Sequence, residues 1–210
     1  MLISRKRKFI FIHIYKNAGT SVMYALAPYV VGKCEYFARR VLNKLNLLPL
    51  HSNIQEFPQH IKASELIGEI GKEAFDSYFS FAIVRNPWDW QVSLYKFALK
   101  DTSHYQHDLI KDFGSFDKYI RWRCQIKGKG GPQKEYIYSE NGELLVDFVA
   151  RFESLEADFK TICSHIGISA SLPKLNISNE IPYQEYYSEE TKELVRQTFD
   201  IDITTFGYDF

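Results

Sequence analysis

The sequence predicts an α/β fold: a central parallel sheet flanked by helices in three layers, with a small hairpin in the second half. Three observations predict it. Residues 9–14 form an apolar run that stops at a basic, small and hydroxyl-rich turn, after which apolar residues recur at helical spacing. Residues 79–85 repeat this plan and feed a second helical stretch through Asn86 and Pro87. Asn141-Gly142 then separates two short β-type runs, 136–138 and 144–146, and both turn residues tolerate positive φ. With 210 residues, 45% hydrophobic and 16% aromatic, the chain is long and apolar enough to bury one core, and residues 1–210 are expected to form one domain.

The elements follow in order. Arg5-Lys6-Arg7-Lys8 lies directly before the first strand and reads as a solvated flank rather than a nucleic-acid patch. His13 alternates with Phe9 and Phe11 in that strand and reads as structural or pocket-lining. Val22, Ala25, Leu26 and Tyr29 give the following turn its helix. Leu66, Ile67, Ile70, Ala74 and Phe75 mark an amphipathic helix over 63–75, interrupted or ended near Gly68 and Gly71. The strand at 79–85 and the helix at 88–100 come next, then a flexible glycine-rich loop at 127–132, the hairpin, and helices at 155–165 and 189–199. There is no internal repeat and no low-complexity tract.

The first strand-to-helix junction carries Lys16-Asn17-Ala18-Gly19-Thr20-Ser21. Such a junction suits an anion, because the first N–H groups of a helix lack intrahelical acceptors and the helix dipole favours negative charge there. Gly19 allows close backbone approach, and Lys16 adds a full positive charge. The order Lys-x-x-Gly-Thr-Ser differs from the common phosphate loop, in which lysine follows the second of two glycines. Lys16 also has an ordinary reading as an exposed strand-end lysine, and Ser21 as a helix cap.

At the second junction Asn86 suits an N-cap and Pro87 the first helical position. Arg85 therefore ends a strand, and Ser93 lies two turns into the helix, so that a guanidinium and a hydroxyl are available to one phosphate. Alternatively, Arg85 pairs with Asp89. Both junctions sit at carboxyl ends of strands, where open parallel sheets bind ligands.

These two motifs, in this order, resemble the 5′-phosphosulfate loop and the 3′-phosphate motif, Arg-Asn-Pro followed by Ser-x-Tyr, of sulfotransferases. The chain resembles the compact bacterial-type members of sulfotransferase family 2, relatives of the Golgi carbohydrate sulfotransferases, over nearly its whole length. The resemblance implies a P-loop-like fold and 3′-phosphoadenosine 5′-phosphosulfate as co-substrate. It implies that Lys16, Asn17, Ala18, Gly19, Thr20 and Ser21 bind its 5′ end, and Arg85 and Ser93 its 3′-phosphate. Gln59-His60-Ile61-Lys62-Ala63 resembles a segment where relatives carry a candidate base, which makes His60 the base and Lys16 the second catalytic residue. From the residues alone, a histidine at this place is more often a surface or capping residue than a base. Residues 146–155 and 206–210 also look like family segments. Two departures stand out: Trp90 replaces an arginine common in relatives, and Leu175-Asn176-Ile177-Ser178 is followed by Asn179-Glu180 rather than lysine-rich sequence.

The implied chemistry is in-line transfer of a sulfuryl group to a hydroxyl, of a saccharide by analogy, in which positioning and electrostatics do most of the work. No metal is expected. A nucleotide kinase is the competing enzyme reading, opposed by the missing Gly-Lys-Thr/Ser loop and the lack of a clear magnesium carboxylate; a catalytically silent nucleotide-binding module is the third. Lys plus Arg equals Asp plus Glu, 26 against 26, so no global basic field points to a nucleic-acid polymer. Cys34, Cys124 and Cys163 suggest neither a disulfide framework nor a zinc ribbon. With no secretory cleavage pattern and no spanning segment, a cytoplasmic location without a membrane anchor is expected. Acceptor choice is expected to reside in loops such as 42–57 and 100–116.

Overall fold

The structure, a computed structural model, describes residues 1–44, 56–126, 131–173 and 181–210. In chain order the elements are β1 (Leu2–Ser4), β2 (Phe9–Ile12), α1 (Gly19–Val30), α2 (Lys33–Lys44), α3 (Ala63–Ile70), α4 (Lys72–Asp76), β3 (Phe79–Val84), α5 (Pro87–Lys100), α6 (His107–Phe113), α7 (Phe116–Gln125), β4 (Phe148–Arg151), α8 (Leu155–His165), α9 (Glu189–Thr198) and α10 (Asp200–Phe206). The described residues fall into two compact units, residues 1–84 with 135–175, and residues 85–134 with 176–210.

The first unit holds the sheet, ordered β1-β2-β3-β4. β2, β3 and β4 run parallel, whereas β1 is an antiparallel edge strand paired Leu2 with Phe11 and Ser4 with Phe9. The exposed Arg5–Lys8 turn joins β1 to β2, so the basic cluster is indeed solvated flank. β2 and β3 are apolar on both faces, as strands of a covered parallel sheet are. Phe9, Phe11, Phe81 and Ile83 contribute to a core with Val22, Leu26 and Ala27 of α1 and Phe159, Ile162 and Cys163 of α8. Ile10, Ile12, Ala82 and Val84 are equally buried.

The helix expected over 63–75 is two helices, α3 and α4, parted at Gly71, whose φ of 86° a non-glycine residue resists. The hairpin reduces to one antiparallel bridge, Tyr138 with Leu144, in which Gly142 alone of the turn pair takes positive φ. The loop at 127–132 is described only from residue 131, and the Leu175–Ser178 segment lies outside the described residues. Among the described residues no helix is long and apolar enough to cross a membrane.

The second unit is helical. α5 packs against α6, α7 and α9. Trp90 is fully buried and edge-on to Phe199 at 5.9 Å, so it serves packing in this unit. An aromatic cluster of Tyr95, Phe116, Tyr119 and Tyr187 fills the adjoining space, with Phe116 4.9 Å from Tyr187.

Candidate active-site elements

In the first unit β2 ends at Ile12 and the chain passes through His13, Ile14 and Tyr15 into the loop. Lys16 and Ala18 both adopt left-handed backbone, φ 62° and 57°, a costly conformation for residues with a Cβ. Asn17 between them is fully buried, and its Nδ2 donates to the Ile83 carbonyl at 2.8 Å near the end of β3. This anchor accounts for the persistence of two strained residues: surrounding contacts over-determine them. Alternating backbone of this kind turns successive N–H groups inward as an anion-binding concavity.

α1 starts at Gly19, with Ala18 at the N-cap position and no side-chain cap. Ser21 lies inside the first turn, so the capping reading of Ser21 is replaced. The first intrahelical bond runs from Val22 N to Ala18 O at 3.1 Å, which leaves the N–H groups of Gly19, Thr20 and Ser21 ahead of the helix ladder. Gly19 is required for a reason the sequence does not show. A Cβ there would lie 1.6 Å from Nε2 of His13.

His13 and His60 are set by reciprocal contacts, with ring centroids 4.6 Å apart. His60 Nδ1 lies 2.9 Å from the His13 carbonyl, which only accepts, so Nδ1 carries the proton and Nε2 keeps its lone pair. Gln59 Nε2, which only donates, lies 3.2 Å from Nδ1 of His13, so His13 holds its proton on Nε2. The neighbouring histidines are therefore opposite tautomers. Burial holds the His13 imidazole well below its ordinary 6.5, assisted by the nearby Lys16 charge. His60 itself is exposed, as the surface reading has it, while partial desolvation of its ring lowers its value and the bond to the His13 carbonyl offsets part of that shift. His60 caps nothing, because Lys62 occupies the N-cap position of α3. Tyr15 stands edge-on to the His60 ring at 5.8 Å.

In the second unit Asn86 Oδ1 accepts from Trp88 N at 3.0 Å and Pro87 opens α5, as the sequence indicates. Arg85 is 97% buried and its Nε donates to Asp89 at 2.7 Å, so the Arg85–Asp89 pairing weighed from sequence is present. Asp89 and Ser93 lie one turn apart along α5 and Ser93 is buried. The backbone of Arg85 is gripped on both sides by Gln133, whose Oε1 accepts from Arg85 N at 2.9 Å and whose Nε2 donates to Arg85 O at 2.7 Å. Asp202 in turn accepts from the backbone N–H groups of Gln133 and Lys134 at 2.7 and 2.8 Å. Asn86 Nδ2 donates to the Asp209 carbonyl at 2.7 Å. Gln59, Gln133 and Asp202 escape sequence reading, because each acts across tens of residues and none belongs to a local motif.

Comparison with known proteins bears on what these elements do. A profile described as the sulfotransferase family matches residues 1–209. The chain belongs to the sulfotransferase family. Among curated proteins, this sulfotransferase is similar to carbohydrate sulfotransferase 10 of Xenopus laevis, 21% identical over 248 aligned positions that cover 96% of this chain and 68% of that protein. It is also similar to an uncharacterised protein of Archaeoglobus fulgidus, 28% identical over 121 positions, which cover 55% of this chain and 91% of that protein. The α/β architecture with its mostly parallel sheet is consistent with a sulfotransferase-like P-loop fold.

Proposed function

We propose that this sulfotransferase, acting as one domain over residues 1–210, moves a sulfuryl group from 3′-phosphoadenosine 5′-phosphosulfate to a hydroxyl of a saccharide. The observation that carries the reading is the conjunction, within the first unit, of an anion loop and a histidine whose Nε2 bears the lone pair. The loop fits an anionic donor: it offers three leading N–H groups, a lysine and a glycine that brings the backbone close. When bound, the nucleotide supplies the sulfuryl group and a phosphate that leaves with it detached.

In this mechanism Lys16, Asn17, Ala18, Gly19, Thr20 and Ser21 hold the 5′ end, and Arg85 and Ser93 hold the 3′-phosphate. His60 Nε2 accepts the proton of the acceptor hydroxyl as the oxygen–sulfur bond forms and the bond from sulfur to the phosphate oxygen breaks. Lys16 stabilises the negative charge left on that phosphate. A base of this kind contributes about 10²–10⁴-fold, and the lowered His60 value keeps the ring neutral and ready at neutral pH. The saccharide acceptor is supported by the likeness to carbohydrate sulfotransferase 10.

The test is calorimetric titration, without added metal, with 3′,5′-adenosine bisphosphate and with ATP. Micromolar binding of the bisphosphate with weak ATP binding is expected; preference for ATP returns the kinase reading. Lys16→Ala and His60→Ala are expected to lose turnover while keeping much of their nucleotide affinity, and Arg85→Ala to lose affinity first. Normal turnover by His60→Ala removes it as the base.

A further inference from the structure

His13 lies outside the set of residues assigned so far, yet its ring is set directly against the Gly19 backbone of the loop. It follows β2 directly, is 4% exposed, stacks on Phe11 at 5.6 Å and 23°, and tilts against His60 at 4.6 Å. Its Nδ1 is occupied by the Gln59 amide. Its Nε2 occupies the space that a side chain on the first residue of α1 would take. Among the described residues none accepts a hydrogen bond from this Nε2. The protein thus spends a glycine at residue 19 to bring a protonated ring nitrogen to the base of the anion loop.

A purely structural ring needs no nitrogen in that place. Phe9, Phe11, Phe79 and Phe81 already make this part of the sheet aromatic, with Phe11 and Phe81 stacked at 5.2 Å, so phenylalanine is the residue that packing alone would choose. An imidazole instead carries a donor, and with Nδ1 taken by Gln59 that donor is the Nε2–H set against Gly19. We propose that His13 is a neutral hydrogen-bond donor of the 5′ anion site, its Nε2–H contacting an oxygen of the 5′-phosphosulfate alongside the loop amides; this rests on the sulfotransferase reading above. Neutrality suits the place. Lys16 already supplies a full charge, and its proximity helps to keep the ring uncharged. A fixed N–H in a desolvated site stabilises an anionic oxygen without reorganising at the moment of reaction. His13 also presents its carbonyl to His60, so one residue serves the donor-binding loop through its side chain and the base through its backbone.

The experiment compares wild type, His13→Phe and His13→Gln. Phenylalanine keeps the ring and removes both nitrogens; glutamine restores an N–H near the Nε2 position. Each is titrated with 3′,5′-adenosine bisphosphate and with adenosine 3′-monophosphate, which lacks the 5′ group. His13→Phe is expected to lose about tenfold in affinity for the bisphosphate and nothing for the monophosphate, and about 10²-fold in kcat; His13→Gln is expected to recover most of both. Equal affinity of His13→Phe and wild type for the bisphosphate overturns the proposal, and so does a parallel loss for both nucleotides. Should His13→Phe not fold, nitrogen-15 spectra of wild type decide: a protonated Nε2 that shifts on adding the bisphosphate is expected, and an Nδ1–H tautomer or an unmoved signal overturns it. Failure of wild type to bind the bisphosphate would instead remove the sulfotransferase reading, and this inference with it.

Discussion

Asn17 and Ala18 show how single residues hold the loop in an unfavourable shape. The Asn17 amide reaches the Ile83 carbonyl from a fully buried position, and truncation there leaves that carbonyl and the loop without their link. Asn17→Ala is expected to destabilise by about 1–3 kcal/mol and to weaken binding of 3′,5′-adenosine bisphosphate, both readable by thermal unfolding and titration. Ala18→Gly runs the other way. At φ 57° the alanine Cβ is strained, and glycine relieves about 1 kcal/mol of it, less the entropy glycine adds to the unfolded chain. The variant should melt no lower than wild type; a clear fall in Tm would show that the Ala18 methyl packs usefully. At this scale the candidate residues were legible unevenly: the Lys16 and Gly19 turn and the Arg85 and Ser93 junction stand out by their spacing and His60 by the family resemblance alone, whereas the tie of Gly19 to His13 was hidden in a contact between a strand end and a helix start.

At the scale of elements, Gln133 imitates a neighbouring strand, offering Arg85 one acceptor and one donor just beyond β3. Gln133→Leu leaves a buried N–H and a buried carbonyl unpaired, so thermal stability should fall and affinity for 3′,5′-adenosine bisphosphate should drop about tenfold as Arg85 loses its setting. Unchanged affinity would mean that the ion pair with Asp89 suffices to hold the guanidinium. Long, strongly patterned elements were readable: β2 and β3 as unbroken apolar runs, α5 from its Asn-Pro start, and α8 and α9 from their spacing. β1 escaped because three residues give no period, and its antiparallel pairing depends on the turn at Arg5–Lys8. β4 escaped for a similar reason: four residues, half of them only partly buried, gain their strand character by pairing with β3. The break between α3 and α4 was signalled by Gly71, since positive φ there ends one helix and begins the next.

For the molecule as a whole, zero net charge means that anion affinity must be generated locally. The titration of its histidines then shapes its response to acid. His13 and His60 are both held below the ordinary imidazole value, so the unfolded chain binds protons more readily than the folded one. Stability is therefore full above about pH 6.5 and is lost as the pH falls through the window between the unfolded and folded values, chiefly through the buried His13, since solvent screening reduces the share of the exposed His60. Tm should decline between pH 7.5 and 5.5, and an unchanged Tm across that range would show that both rings accept protons freely in the folded state. The acid limb of kcat/KM should have its midpoint below 6.5 for the same reason.

The hold on residues 85 and 86 has a consequence for how the protein is made. Asn86 is tied to the Asp209 carbonyl across 123 residues of chain, and Gln133, which frames Arg85, is itself seated on Asp202. Residues 85 and 86 leave the ribosome well before Asp202 and Asp209, the residues that seat Gln133 and tie Asn86. A nascent chain halted before residue 200 carries every residue of the motif and has none of these late ties. The setting of residues 85 and 86 is thus completed only late in synthesis, when the last ten residues of the chain are made.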